Sequence, residues 1–176
     1  MFCALMNCDI NNSDKLSIYC SEVNKLGFHV INPDINNSDT NFVVNYDKNQ
    51  LPISIKFGLG AIKNVGEQSM SELVRNREIN GKYRNLDELL TRLSNNVLNK
   101  KILEALIFSN SLGSIEKNQK YLFDNIDKII LFNSNFHKNY NKNQTSLFPQ
   151  NNDLNNYLEI KNKLDWNLNE KLSKEV

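Results

Sequence analysis

Residues 53–78, ISIKFGLGAIKNVGEQSMSELVRNRE, run from an alternating segment through two glycine-broken turns into a helix start. Ile53, Ile55 and Phe57 alternate with Ser54 and Lys56, the period of a short half-buried strand, and Gly58 and Gly60 end it. A short apolar helical turn is expected from Ala61. The chain turns again at Lys63-Asn64-Val65-Gly66, where Gly66 lacks the Cβ that opposes positive φ and Asn64 is the non-glycine residue that best tolerates it. A second helix is expected from Glu67 to about Arg77, with Met70, Leu73 and Val74 on its apolar side.

Two helices joined by such a turn form a helix-hairpin-helix. The backbone N–H groups of the turn and the N-terminus of the second helix carry partial positive charge and suit a phosphate, and Lys63 adds a full charge beside them. Lys63, Asn64, Val65, Gly66, Glu67 and Gln68 are therefore candidate contacts to a nucleic-acid backbone. Contacts of this kind fix position and affinity but read no base. A turn of this spacing can equally serve packing alone, so both readings stay open on the residues themselves.

Working outward, Asn85 caps a helix with Glu88 three residues on, and Leu86, Leu89, Leu90 and Leu93 make a one-sided core stripe. Asn99 starts another, with Leu98, Ile102, Leu103, Leu106 and Ile107 inward and Lys100 and Lys101 on its exposed first turn. Cations there oppose the helix dipole, which makes sense if an anion sits nearby, so both join the candidate backbone contacts. A single further helix is expected over 115–132, then a disordered, Asn-rich linker over 133–153 in which His137 is an ordinary exposed histidine. Within it Gln144, Thr145, Ser146, Leu147 and Phe148 place two large apolar residues in a polar tract, as an anchor for a partner's pocket would. Residues 154–176 read as an amphipathic helical tail. Towards the start, Asp14 is expected to cap a helix ending at Gly27, Phe28 to Ile31 forms a short strand, and Asn41 to Tyr46 pairs with Ile53 to Phe57 as a hairpin.

The formal net charge of +1 hides an asymmetry. Residues 1–52 carry three Lys against six acids, 53–113 carry nine Lys and Arg against six acids, and 114–176 carry nine against eight. The modest surplus in the middle suits local phosphate contact and not the coating of nucleic acid. The three Cys have no paired spacing, so no metal site or disulfide framework is expected, and small buried residues in a reducing compartment are. Without an apolar run near ~18 residues or a signal-like start, the chain is expected to be cytoplasmic, with no membrane partner.

The run FGLGAIKNVGE resembles FGLGAIKGVGE of the alpha subunits of bacterial DNA polymerase III, the C-family replicative polymerases. The resemblance extends to Ala4-Leu5-Met6, Ser13-Asp14-Lys15, Val30 to Phe42, Gly81 to Leu86 and Leu98 to Ile107, so it spans residues 2 to about 115. It departs at Asn64, usually Gly, and at Asn110-Ser111, usually Gly-Ala, where Asn preserves the left-handed turn. The resemblance implies a mainly α chain with a small β-hairpin, of α+β class: a fingers-like segment over 1–52, a tandem helix-hairpin-helix domain over 53–113, a packing helix over 114–132, the linker and the tail. It further implies that Gln144, Ser146, Leu147 and Phe148 form a clamp-binding pentapeptide. The implied partners are duplex DNA, a sliding clamp and the remaining parts of an alpha subunit.

No acidic cluster beside strands offers to hold the two metal ions of nucleotidyl transfer. The chain is expected to need no cofactor and to be inactive alone, although the whole polymerase would need Mg. A free-standing helix-hairpin-helix protein of repair or recombination and a structural helical scaffold remain alternatives.

Overall fold

The computed structural model describes residues 1–141 and 165–174. Helix α1 (Phe2–Cys8) leads into α2 (Ser13–Lys25), which is capped by Asn12 accepting from the Lys15 N–H, not by Asp14 as expected. Gly27 takes φ 83 and turns the chain into β1 (His29–Ile31). Strands β2 (Val43–Tyr46) and β3 (Pro52–Lys56) pair antiparallel with Val43 opposite Lys56, as the alternation implied. The sequence reading missed that β1 joins β3 in parallel, giving the order β1-β3-β2, because a three-residue strand carries almost no periodicity. Val30 and Ile55 turn towards α1 and α2 and build a small core with Met6, Leu16, Val23 and Phe42.

Gly58 has no room for a side chain, since a Cβ there would lie 2.6 Å from the Asn41 carbonyl carbon. The closeness comes from the loop before β2: Leu59 donates to the Asp39 carbonyl and Gly60 to the Thr40 carbonyl, both at 2.8 Å. The apolar turn expected from Ala61 is a 3-10 turn at Leu59–Ala61, ending where it was expected to begin. Then come α3 (Glu67–Asn80), α4 (Leu86–Arg92) and α5 (Lys100–Phe108), the last two capped by Asn85 and Asn99 as read from the sequence. Their stripes meet in the larger core, where Leu73, Leu89, Leu90, Leu103 and Leu106 are fully buried.

The single helix expected over 115–132 is two, α6 (Gln119–Asp124) and α7 (Ile126–Asn141). Buried Asn125 ends the first by donating its amide to the Tyr121 carbonyl. Residues 133–141 are helical and not linker, because α7 continues through Asn133 and His137, whose side-chain nitrogens meet carbonyls at the end of α4. The Asn133 amide donates to the Leu90 and Leu93 carbonyls at the end of α4, at 2.8 and 2.7 Å. A ring nitrogen of His137 lies 3.0 Å from the Leu90 carbonyl, so this histidine is also part of the packing. The rest of the expected linker, residues 142–153, lies outside the described residues. In the tail a short helix, α8 (Leu168–Leu172), follows Trp166, which packs against Phe108 and Phe123. The cysteines are free, but Cys8 is exposed and Cys3 and Cys20 only half-buried, so the expectation of buried cysteines does not hold.

Tyr83, between α3 and α4, is buried, donates its hydroxyl to the Leu73 carbonyl at 2.8 Å, and has its pKa pushed up to about 12 by burial. A raised pKa contributes stability that is whole below the ordinary tyrosine value near pH ~10 and is lost as pH rises towards ~12. Tyr83→Phe should cost roughly 1 kcal/mol at neutral pH through the lost hydrogen bond. Urea titrations should also show the wild type, and not the variant, losing up to about 2–3 kcal/mol over that alkaline window.

Candidate nucleic-acid interface

The turn before α3 is shaped by Asn64, which takes φ 70, while Gly66 sits at φ −91 in extended backbone. The expectation of a positive φ at Gly66 is thus corrected: Asn64 alone makes the left-handed step. A Cβ at Gly66 would meet only the Ser69 hydroxyl, at 3.8 Å. Neither backbone conformation nor packing within the chain therefore calls for glycine at this position. What glycine does leave is an N-cap without a side chain, so the N–H groups of Glu67, Gln68 and Ser69 find no acceptor among the described residues. Four such N–H groups open every helix, and an uncapped start concentrates the positive end of its dipole on the solvent.

The candidate residues around this opening are not equivalent. Lys63 and Asn64 are exposed beside it, and Glu67 and Gln68 are exposed on its first turn. Val65 faces inward against the larger core and donates its N–H to the Ile62 carbonyl at 3.3 Å, so it holds the turn in shape and offers no free donor. The Glu67 carboxylate complements the dipole.

At the second hairpin the pair of lysines is divided. Asn99 caps α5 by accepting from the Ile102 N–H at 3.0 Å. Lys100 reaches across to Asp127 on α7, at 2.6 Å, and that hydrogen bond raises its pKa. The anion that its position called for is thus supplied within the chain. Lys101 has no such partner among the described residues and lines a groove of about 610 Å3 shared with Lys63 and Asn64. Asn110, at φ 55, ends α5 in the left-handed conformation that its replacement of glycine implied, and lines the same groove. Lys174 lies on it too, its ammonium 4.8 Å from the Trp166 ring centroid. Sequence reading did not single out Lys174, and no local signal could have found it, because its place depends on how the tail docks.

Arg77, expected merely to end α3, is largely buried, with its side chain 10% exposed. Its guanidinium donates to the Ile35 and Ser38 carbonyls and pairs with Asp39, so it holds the loop before β2 and is not available to a ligand. Among the described residues no group of three or more His, Cys, Asp or Glu side chains is placed to hold a metal ion. Gln144, Ser146, Leu147 and Phe148 lie outside the described residues.

Residues 27–122 match the helix-hairpin-helix motif family. The chain is 39% identical over 140 residues to the DNA polymerase III subunit alpha of Borreliella burgdorferi, covering 80% of this chain and 12% of that protein. The Buchnera aphidicola subunit is 36% identical over 143 residues, 81% of this chain and 12% of its own. In Neisseria meningitidis the subunit is 31% identical over 172 residues, 98% of this chain and 14% of its own. The chain thus spans about an eighth of the length of these curated relatives.

An aspartate at Gly66 would supply the missing cap and place a negative charge at the opening. Gly66→Asp should raise stability in urea by a few tenths of a kcal/mol. It should also weaken retention of duplex DNA by about tenfold or more, since like charges would face each other. Parallel denaturation and DNA-retention measurements check the opposite signs.

Proposed function

This chain belongs to the helix-hairpin-helix family and is similar along most of its length to the alpha subunits of bacterial DNA polymerase III, and from that premise we propose that it holds duplex DNA by its sugar-phosphate backbone. The observation that carries the proposal is the uncapped start of α3 at Gly66, flanked by exposed Lys63. A phosphate there accepts from free N–H groups and meets a cation, with no base in reach of the contact. Lys101 provides the second contact point at α5; Lys100 is spent on Asp127. Such a chain works in the cytoplasm with the remaining parts of an alpha subunit, which carry nucleotidyl transfer and the magnesium it uses. This reading is favoured over a free-standing repair protein or a plain scaffold because the similarity reaches past the hairpins into residues 1–52 and the tail.

Binding should be independent of sequence and steeply dependent on salt. Lys63→Gln with Lys101→Gln should reduce the slope of log affinity against log salt by about 2, since each lysine releases about one counterion. Lys100→Gln should leave that slope unchanged. Anisotropy titrations of two unrelated labelled duplexes measure both; equal slopes for the wild type and the Lys63 and Lys101 double variant would refute the backbone contact.

We further propose that Gln144 to Phe148 engages a sliding clamp as an extended peptide. Leu147 and Phe148 would each bury a large apolar side chain, worth about 1.5–3 kcal/mol, while the Gln144 amide orients the strand and Thr145 contributes little. Titrating purified clamp with a peptide of residues 138–152 should give micromolar affinity. Changing Leu147 and Phe148 together to Ala should abolish it; equal binding by both peptides would end the proposal.

A further inference from the structure

The groove beside the α3 turn does not end at the hairpin. It shares Asn32, Pro33 and Asn110 with a second cleft of about 880 Å3, which passes between the outer face of the sheet and the segment after α5. The two clefts together are lined by Lys56, Lys63, Lys101, Lys117, Lys171 and Lys174, against two carboxylates, Asp34 and Glu104. Asp34 is already committed to its own loop, accepting from the Asn36 N–H at 2.7 Å and from the Asn37 amide. Lys56, Lys63, Lys101 and Lys117 make no ion pair among the described residues. Lys171 is paired with Asp165, as Lys100 is with Asp127, which leaves five cations along one cleft without an ion pair among the described residues, a concentration that neither the formal net charge of +1 nor any one stretch of sequence conveys.

One wall of this cleft comes from the tail. Trp166 lies with its ring centroid 5.5 Å from Phe123 and 6.1 Å from Phe108, and the Asp165 carboxylate accepts from the Lys120 N–H at the start of α6. Burial alone would push the Asp165 carboxyl up, but Lys171 and two backbone N–H groups outweigh it and hold it below its ordinary range. Anchored at these two points, the segment sets Lys171 on one cleft and Lys174 on the other.

We infer that the joined clefts form a path for nucleic-acid backbone that continues from the α3 turn, with the Trp166-anchored segment as one wall. The inference rests on the backbone-binding reading given above and extends it from a point contact at the hairpin to a track. The ligand chemistry is a run of phosphodiesters, presented either by the same duplex beyond the hairpin or by a single strand.

The test is anisotropy with the full chain against a labelled duplex and, separately, a labelled single strand, across a salt series. Lys56→Gln with Lys117→Gln should reduce the log-log salt slope by about 2 on one of the probes, and that probe identifies the source. Lys25→Gln with Lys48→Gln, outside the clefts, should leave both slopes unchanged. Trp166 is the chain's one tryptophan, so its emission reports in each variant that the tail is still docked. Unchanged slopes and affinities in the Lys56 and Lys117 variant, with Lys63→Gln and Lys101→Gln still impairing binding, would overturn the track and leave the hairpin contact standing. An equal loss in the Lys25 and Lys48 control would overturn it as a general charge effect. Absence of binding by the wild type to either probe would overturn both readings together.

Discussion

The side-chain amide of Asn36 accepts from the Tyr83 N–H and donates to the Tyr83 carbonyl, both at 2.8 Å, and gives its second hydrogen to the Ser114 hydroxyl at 3.1 Å. It thereby satisfies its whole donor set and stands in for a strand partner to a buried backbone that has none. The same loop is held by the Ile35 N–H donating to the Ser111 carbonyl, and by Arg77, which covers the carbonyls of Ile35 and Ser38. Removing the Asn36 amide would strand a buried N–H and a buried carbonyl, each costing about 1–3 kcal/mol, so these bonds are sensitive beyond their net worth. They matter because the loop over residues 34–40 joins the small core under the sheet to the larger helical core; Ile35 belongs to the second of these and Phe42, just beyond the loop, to the first.

A second constraint follows from the first. With the loop fixed, residues 39–42 lie so close to Gly58 and Gly60 that backbone bonds run directly between them. The exit of β3 is aimed by that contact, and the exit of β3 aims the turn at Asn64. Glycine is thus needed at position 58 for the fold, while at Gly66 nothing in the chain needs it and the opening it leaves faces outward. Two glycines eight residues apart serve different ends, and only the surroundings of each tell them apart.

Much of the helical part was legible beforehand. The caps at Asn85 and Asn99, the leucine stripe from Leu86 to Leu93 and the left-handed turns at Asn64 and Asn110 depend on residues within a few positions of each other, and the pairing of β2 with β3 on residues no further apart than Val43 and Lys56. The misreadings share a cause. Asn133 and His137 look like surface residues in an Asn-rich stretch and Asn125 like an ordinary helix residue, yet the two asparagines are buried and donate to the carbonyls of Tyr121, Leu90 and Leu93. Nothing in composition separates an asparagine that satisfies a buried carbonyl from one that meets water. The three-residue strand β1 escaped for the matching reason, since its partner in β3 lies 25 positions on, at His29 opposite Ser54.

By itself the sequence determined the order of helices and turns from the helix at 13–25 to that at 100–108, the absence of a capping side chain at Gly66 and the resemblance to polymerase alpha subunits, because each is written in neighbouring residues. Tertiary structure alone decided which charges stand together. Lys100 and Lys101 are adjacent and looked alike, but α7 brings Asp127 to one of them and leaves the other on the groove with Lys63. Lys174 joins them only because Trp166 finds Phe108 and Phe123. A cap or an apolar stripe is settled over one or two turns of chain, whereas a charge responds to whatever lies within a few ångströms in space, and that distance exists only once the cores have packed.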